Sequence, residues 1–257
     1  MTPSTIVTAD LESRLLTLAT RLDDYRKRYE TLHDSRAVFT CAYVQITRIL
    51  AAGLRESNFH DPLWVVSLAQ SFAGKYTEAL DAADQNLKVA PAWQKVFDTF
   101  KSGRTSILED LVFGMTAHIV HDLPTALLDV GLADPNGLSH ISDFHRVNDV
   151  LGSNVQVIED AVLNRYGPFL KFIDSLDKGY DQILSNYGFR LSRGLAWYNA
   201  ARMLEPTTRV SIEASITRSV VILVDNVKNP PWLSVRIVLR GVRYLVSILR
   251  VWPSPEK

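Results

Sequence analysis

Ile107-Leu-Glu-Asp-Leu-Val-Phe-Gly-Met-Thr-Ala-His118-Ile-Val-His121 is the stretch on which the fold turns. Wound as a helix it is apolar nearly all the way round, through Leu108, Leu111, Val112, Phe113, Met115, Ala117, Ile119 and Val120. A helix with no wet face has to be enclosed by other elements. The expectation is an all-α chain: a single compact multi-helix bundle with this segment as its buried central helix.

The flanking sequence supplies the shell. Upstream, Leu11, Leu15, Leu18, Leu22, Tyr25, Tyr29 and Leu32 recur at steps of three and four, the period of an amphipathic helix. A second helix is expected from Arg36 to Arg55, and a third opens at Asp61-Pro62, an N-cap followed by a first-turn proline. Pro91 starts a short helix that Ser102-Gly103 ends. Downstream, Pro124 kinks the chain or starts a new turn, and Gly131 to Ser139, with Asp134-Pro135-Asn136-Gly137, reads as a loop. One helix is expected from Ser139 to Tyr166, then helices over Pro168 to Asp177, Tyr180 to Leu204, Pro206 to Val227 and from Trp232 onward. The β-branched runs Val220 to Val224 and Val235 to Leu239 sit inside stretches too long and too free of turn signals for strands. One domain over 1–257 is expected, with residues 1–9 and 253–257 as flexible ends.

Charge excludes several partners. The 257 residues carry 28 basic and 28 acidic side chains, so no net field gathers nucleic acid. Cys41 is the single cysteine, placed among Phe39, Ala42, Tyr43 and Val44, and reads as a small core residue. The polar start has no secretory pattern, which points to the cytoplasm. Trp232 to Trp252 is apolar but carries Arg236, Arg240, Arg243 and Arg250, so no transmembrane segment is expected. That helix reads as arginines covering a core helix, with a membrane-surface role as the alternative.

The chemistry-bearing cluster is His118, His121 and Asp122, set in greasy surroundings that make unsatisfied polar groups costly. Residues three and four apart share a helix face, so His118 can meet either partner. The cluster reads either as catalytic or as a hydrogen-bonded stitch between helices. A second polar set, His140, Asp143, His145, Asn148 and Asp149, follows the loop. If the two helices pack antiparallel, Asp143 or His145 faces His118, and His118, Asp122 and Asp143 become the candidate metal ligands. No standard metal motif is present, and no cofactor is expected. The stripe Asn186, Tyr187, Arg190, Arg193, Trp197, Tyr198 and Asn199 reads as a half-buried face or as a pocket wall, with Tyr187, Arg190 and Trp197 joining Asp143 and His145 as substrate-binding candidates. Arg190 is a candidate partner for Asp122 or Asp143. Phosphate cradles, nucleophile elbows and paired cysteines are absent.

Gly114-Met-Thr-Ala-His118-Ile-Val-His-Asp122-Leu-Pro, followed by Asp143-Phe-His-Arg-Val-Asn148-Asp-Val-Leu, resembles an uncharacterised helical family of actinobacteria and fungi with a Gly-Met-Asn-Ala-His-Ile-Asn-x-Asp-Leu core. Pro91-Ala-Trp93, Ser192 and Ala196-Trp197 are similar to its flanking positions, so the likeness spans residues 60 to 205. Thr116 and Val120 depart from the pattern, each standing where the family has Asn. The resemblance implies an all-helical fold, and through fungal proteins of similar appearance it implies secondary-metabolite cyclases with apolar pockets.

Three functions follow as expectations. The first is an enzyme on a hydrophobic small molecule, a cyclase of lyase or isomerase type acting on a terpenoid or polyketide-like substrate, pericyclic (Diels–Alder) ring closure included. In it His118, Asp122 and His121 polarise a carbonyl or move a proton. The second is a metal-dependent hydrolase or oxygenase, and the third a non-catalytic helical binding protein. A homodimer stays among the expected assemblies.

Overall fold

Leu11, Leu15, Ala19, Leu22 and Tyr29 are all buried along one side of α1 (Pro3–Thr31), as their spacing requires. The computed structural model describes residues 3–56, 59–103, 105–168, 186–230, 241 and 250–253. Helical backbone begins at Pro3, well ahead of the periodic leucines. A tight reversal, with His33 at φ +52°, leads into α2 (Arg36–Glu56), and the Arg55–Glu12 ion pair marks the two helices as antiparallel. α3 (Pro62–Asp84) runs parallel to α1. Arg14 donates to Gln70, and the Tyr25 and Tyr29 hydroxyls donate to Asp81 and Asp84 at 2.7 and 2.9 Å. The Asp61 carboxylate caps α3 by accepting from the Trp64 N–H, with Pro62 just inside.

α4 (Pro91–Lys101) places Trp93, Val96, Phe97 and Phe100 in the core. α5 (Ile107–Thr116) starts with a reciprocal cap between Ser106 and Glu109. The central helix is not regular to His121, as expected, but widens after Thr116 into a π-helical turn (Ala117–Asp122) before α6 (Leu123–Val130). The Leu123 N–H reaches back to the His118 carbonyl, five residues away. Pro124 then sits in the first turn of α6, where its missing N–H is harmless. The π-turn packs against α3, α4, α6 and the two helices that follow residue 185, α9 (Asn186–Met203) and α10 (Pro206–Lys228).

The loop after α6 is present, with Gly131 and Gly137 at φ +81° and +84° and one isolated bridge between Ala133 and Ser139. The single helix expected from Ser139 to Tyr166 is two, α7 (Ile141–Gly152) and α8 (Val155–Tyr166). Ser153 and Asn154 break it by turning their side chains onto the Asp149 and Val150 carbonyls. The expected helices from Pro168 to Asp177 and from Trp232, with Arg236, Arg240 and Arg243, lie outside the described residues apart from their ends. No strand occurs among the described residues, and the protein is an all-α bundle.

Two helical stretches, Arg36–Glu56 and Ile107–Val130, have the length and hydropathy of membrane spans. Both are enclosed: 72% and 61% of their most apolar windows are buried inside the fold. Cys41 is buried and burial raises its thiol pKa to about 11, in keeping with a core residue.

Gly114 sets how closely α5 approaches α2. A methyl group at this position would run into the Phe39 ring, whereas nothing lies within 4 Å of one added at Gly74 in α3. Gly114→Ala should therefore destabilise by about 1–3 kcal/mol through overpacking. Gly74→Ala should be neutral or stabilise by up to ~1 kcal/mol through helix propensity. Urea denaturation of both variants checks this, and a harmless Gly114→Ala would show that the close approach is dispensable.

Candidate functional site

Asp122 lies at the end of the π-turn with 3% of its surface exposed, and its carboxylate gathers three N–H donors. Oδ2 accepts from the Trp93 indole at 2.8 Å and faces His118 Nδ1 at 2.9 Å, while Oδ1 faces His121 Nδ1 at 2.8 Å. Adjacent helical residues ordinarily diverge. Here the widened turn lets residues one and four before Asp122 share its carboxylate. Burial works to raise the Asp122 pKa, but the bonds from His118 and His121 outweigh it and hold the group below 3.8. An ionised carboxylate only accepts, so both imidazoles present an Nδ1–H to it and turn Nε2 away.

The two histidines then differ by exposure. His118, 2% exposed, is boxed by aromatic rings: Phe72 stacks on it at 3.6 Å between centroids, and Tyr43 meets it edge-on at 4.6 Å. Phe39, Tyr76 and Trp93 complete the box. Its Nε2 is buried without a partner among the described residues. Burial pushes its pKa below 6.5 against the pull of Asp122, so the ring is neutral at physiological pH. The His121 side chain keeps 24% exposure, and its Nε2 makes no hydrogen bond to protein among the described residues. His121 directly follows Val120, which contributes to a largely apolar groove of about 660 Å³ between α9 and α10. Leu191, Leu195, Ile212, Ile216 and Leu223 wall that groove, with Ser192 and Asn199 as polar points.

Few of the other candidates join this cluster. Asp143 is buried, but its two oxygens accept from the His60 and Asp61 backbone at 2.9 and 2.7 Å and so fasten α7 to the start of α3. His145 is exposed on α7. The expected set of His118, Asp122 and Asp143 is therefore not assembled, and no group of three His, Cys, Asp or Glu side chains is placed to hold a metal among the described residues. Arg190 pairs with Asp149 at 2.7 Å and not with Asp122 or Asp143. Trp197 packs on Phe144 and Trp64. Tyr187 lies on the backbone of α9, and its side chain falls outside the described residues.

Trp93, Phe72 and Tyr43 are the partners that sequence reasoning missed. Only Trp93 carried a signal, as a polar-tipped aromatic inside an otherwise apolar helix start.

A family model described as "Family of unknown function (DUF5995)" matches residues 16–230. The chain belongs to that family. The match spans the π-turn, its aromatic box and the groove helices. Neither a curated protein nor a solved structure matches the chain.

The His118 environment has a consequence for pH. An imidazole whose folded pKa lies below its unfolded value of 6.5 is protonated more readily in the unfolded chain. Its contribution to stability is intact above pH 6.5 and is lost as pH falls towards the folded value. Urea denaturation should show stability dropping as pH falls through 6.5. His118→Asn, whose amide N–H replaces Nδ1–H, should remove most of that slope, and an unchanged slope would assign the proton uptake elsewhere.

Proposed function

We propose that the protein is an enzyme acting on an apolar small molecule, in which His121 moves a proton and Asp122 orients it. The observation that carries this reading is the shared carboxylate: Asp122 fixes the His121 ring through Nδ1 and turns Nε2 outward on a side chain that solvent and ligand can reach. A buried carboxylate that sets the tautomer and orientation of an accessible imidazole is the arrangement general acid–base catalysis requires. His118 and Trp93 act as positioning residues, holding the carboxylate in place from its other side.

The groove between α9 and α10 supports the substrate class. Its volume of about 660 Å³ falls in the usual range for small-molecule sites, and its walls are mostly aliphatic. A terpenoid or polyketide-like skeleton suits such walls, and Ser192 and Asn199 offer hydrogen bonds to one oxygen of it. The chemistry follows from the equipment. Nε2 of His121 takes a proton from an acidified carbon or hydroxyl and returns it at another atom of the same skeleton, which is isomerisation or cyclisation initiated by deprotonation. In such a cyclase the working imidazole is His121, and His118 holds the carboxylate from behind.

A helical binding protein without catalysis is the second reading. It is favoured by the near-complete burial of His118 and Asp122, which suits a structural stitch equally well.

Two variants separate these readings. Nile red, an uncharged apolar dye, should bind the wild type and fail to bind Leu195→Arg, which puts a charge in the groove. Deuterium uptake from D₂O into a panel of cyclic β,γ-unsaturated ketones should be accelerated by the wild type. His121→Gln should reduce that rate by about 10²–10⁴-fold with dye binding retained. Equal exchange rates in wild type and His121→Gln, with dye binding intact, would leave the binding-protein reading standing.

A further inference from the structure

Arg193 is a buried cation left without a counter-charge among the described residues. It lies on α9 and is 4% exposed. Its Nε donates to the Asn148 side-chain oxygen, and its guanidinium carbon sits 4.8 and 5.5 Å from the ring centroids of Phe144 and Phe189. No carboxylate pairs with it among the described residues, and its two Nη groups have no protein acceptor there. Burial depresses its pKa to about 10, and the group stays cationic at neutral pH. Arg26, the other deeply buried arginine among the described residues, meets Asp23 and Glu30 at 2.6 Å.

Arg193 borders a partly open hollow of about 40 Å³, lined also by Tyr43, Thr47, Leu50, Leu68 and Phe72. The Tyr43 hydroxyl makes no hydrogen bond to protein among the described residues, and burial keeps it protonated. The Thr47 hydroxyl is already spent on the Tyr43 carbonyl at 2.8 Å. Arg193 and Tyr43, each with donors that no protein group takes up, are therefore among the residues around a space walled almost wholly by hydrocarbon. A water offers no charge to such a site, whereas an anion neutralises it and accepts from both donors.

We propose that this hollow is a binding site for a small monovalent anion, a halide or the carboxylate head of a short acid, held by the Arg193 Nη groups and the Tyr43 hydroxyl. A single guanidinium matches a single negative charge. A dianion would leave one charge unbalanced among Leu50, Leu68 and Phe72. The volume agrees, since a water-sized occupant needs roughly 10–15 Å³ by this measure and the hollow offers room for only a few such centres. The site is separate from the α9–α10 groove but shares Tyr43 and Phe72 with the box around His118, so its occupant steadies the rings that pack on that imidazole.

The test is thermal denaturation of the full chain in sodium chloride, bromide, formate, acetate and butyrate at constant ionic strength, with sodium gluconate, a monovalent anion too large for the hollow, as balance. Chloride, bromide or formate should raise Tm by a few degrees in a saturable way over gluconate. Tyr43→Phe should shift saturation about tenfold higher, and Arg193→Met should fold and lose the response, because an unpaired buried charge is replaced by hydrocarbon. Affinity that climbs from formate to butyrate assigns the hollow to the head of an apolar acid. Affinity confined to halides and formate assigns it to a free anion, and either result supports the site. Indistinguishable Tm curves in chloride, formate, butyrate and gluconate would overturn the proposal, as would a saturable response that survives Arg193→Met. Should Arg193→Met not fold, anomalous diffraction from wild-type crystals in bromide decides: a peak beside Arg193 supports the site, and none within the hollow overturns it.

Discussion

A carboxylate sealed inside an apolar bundle must find enough donors to replace its water, and Asp122 finds three. The indole of Trp93 comes from α4, and the imidazoles of His118 and His121 come from the π-turn that also carries the acid. Losing one of them would leave the buried carboxylate a donor short at a cost of about 1.5–3 kcal/mol, so each element that brings a donor is fixed in place. The widened turn lets His121 and His118 reach one carboxylate together. Gly114 lets α5 lie close enough to α2 for Phe39 to pack against His118. Pro124 restarts the helix where an N–H would have no partner.

Around this centre several buried charges are paired and act as clamps between distant parts of the chain. Glu30 accepts from Arg26, Arg165 and the Tyr166 hydroxyl, tying α1 to α8. Burial pushes the Asp110 carboxyl up to about 6, and Arg250 answers it at 2.6 Å. The Val251 N–H bonds the Tyr166 carbonyl and Trp252 stacks on His33, which together with Arg250 brings the described end of the chain over α1, α5 and α8. Against this pattern of matched charge, the isolated guanidinium of Arg193 stands out.

Most of the helices were legible because their signals are local. The leucine spacing of α1, the Asp61-Pro62 start of α3 and the Gly131 to Ser139 loop each depend on residues a few positions apart. The break between α7 and α8 was missed because Val155, Ile158 and Val162 continue the helical period across Ser153-Asn154, and periodicity outweighed two turn-forming residues. The π-turn was invisible for a related reason: one extra residue in one turn leaves an all-apolar helix looking regular. The pairing of His118 with Asp122 was readable from their four-residue spacing, but the third donor, Trp93, is 29 residues away and required coordinates. Asp143 misled because a buried acid looks the same in sequence whether it binds a ligand or, as here, two backbone N–H groups.

Nitrogen-15 NMR of the imidazole rings at neutral pH is the most direct measurement of the arrangement on which everything else depends. Bonded to an ionised Asp122, His118 and His121 should both show a protonated Nδ1 and a bare Nε2, and Asp122→Asn should disturb both rings at once. A protonated Nε2 beside a bare Nδ1 on either ring, or two rings indifferent to Asp122→Asn, would contradict it.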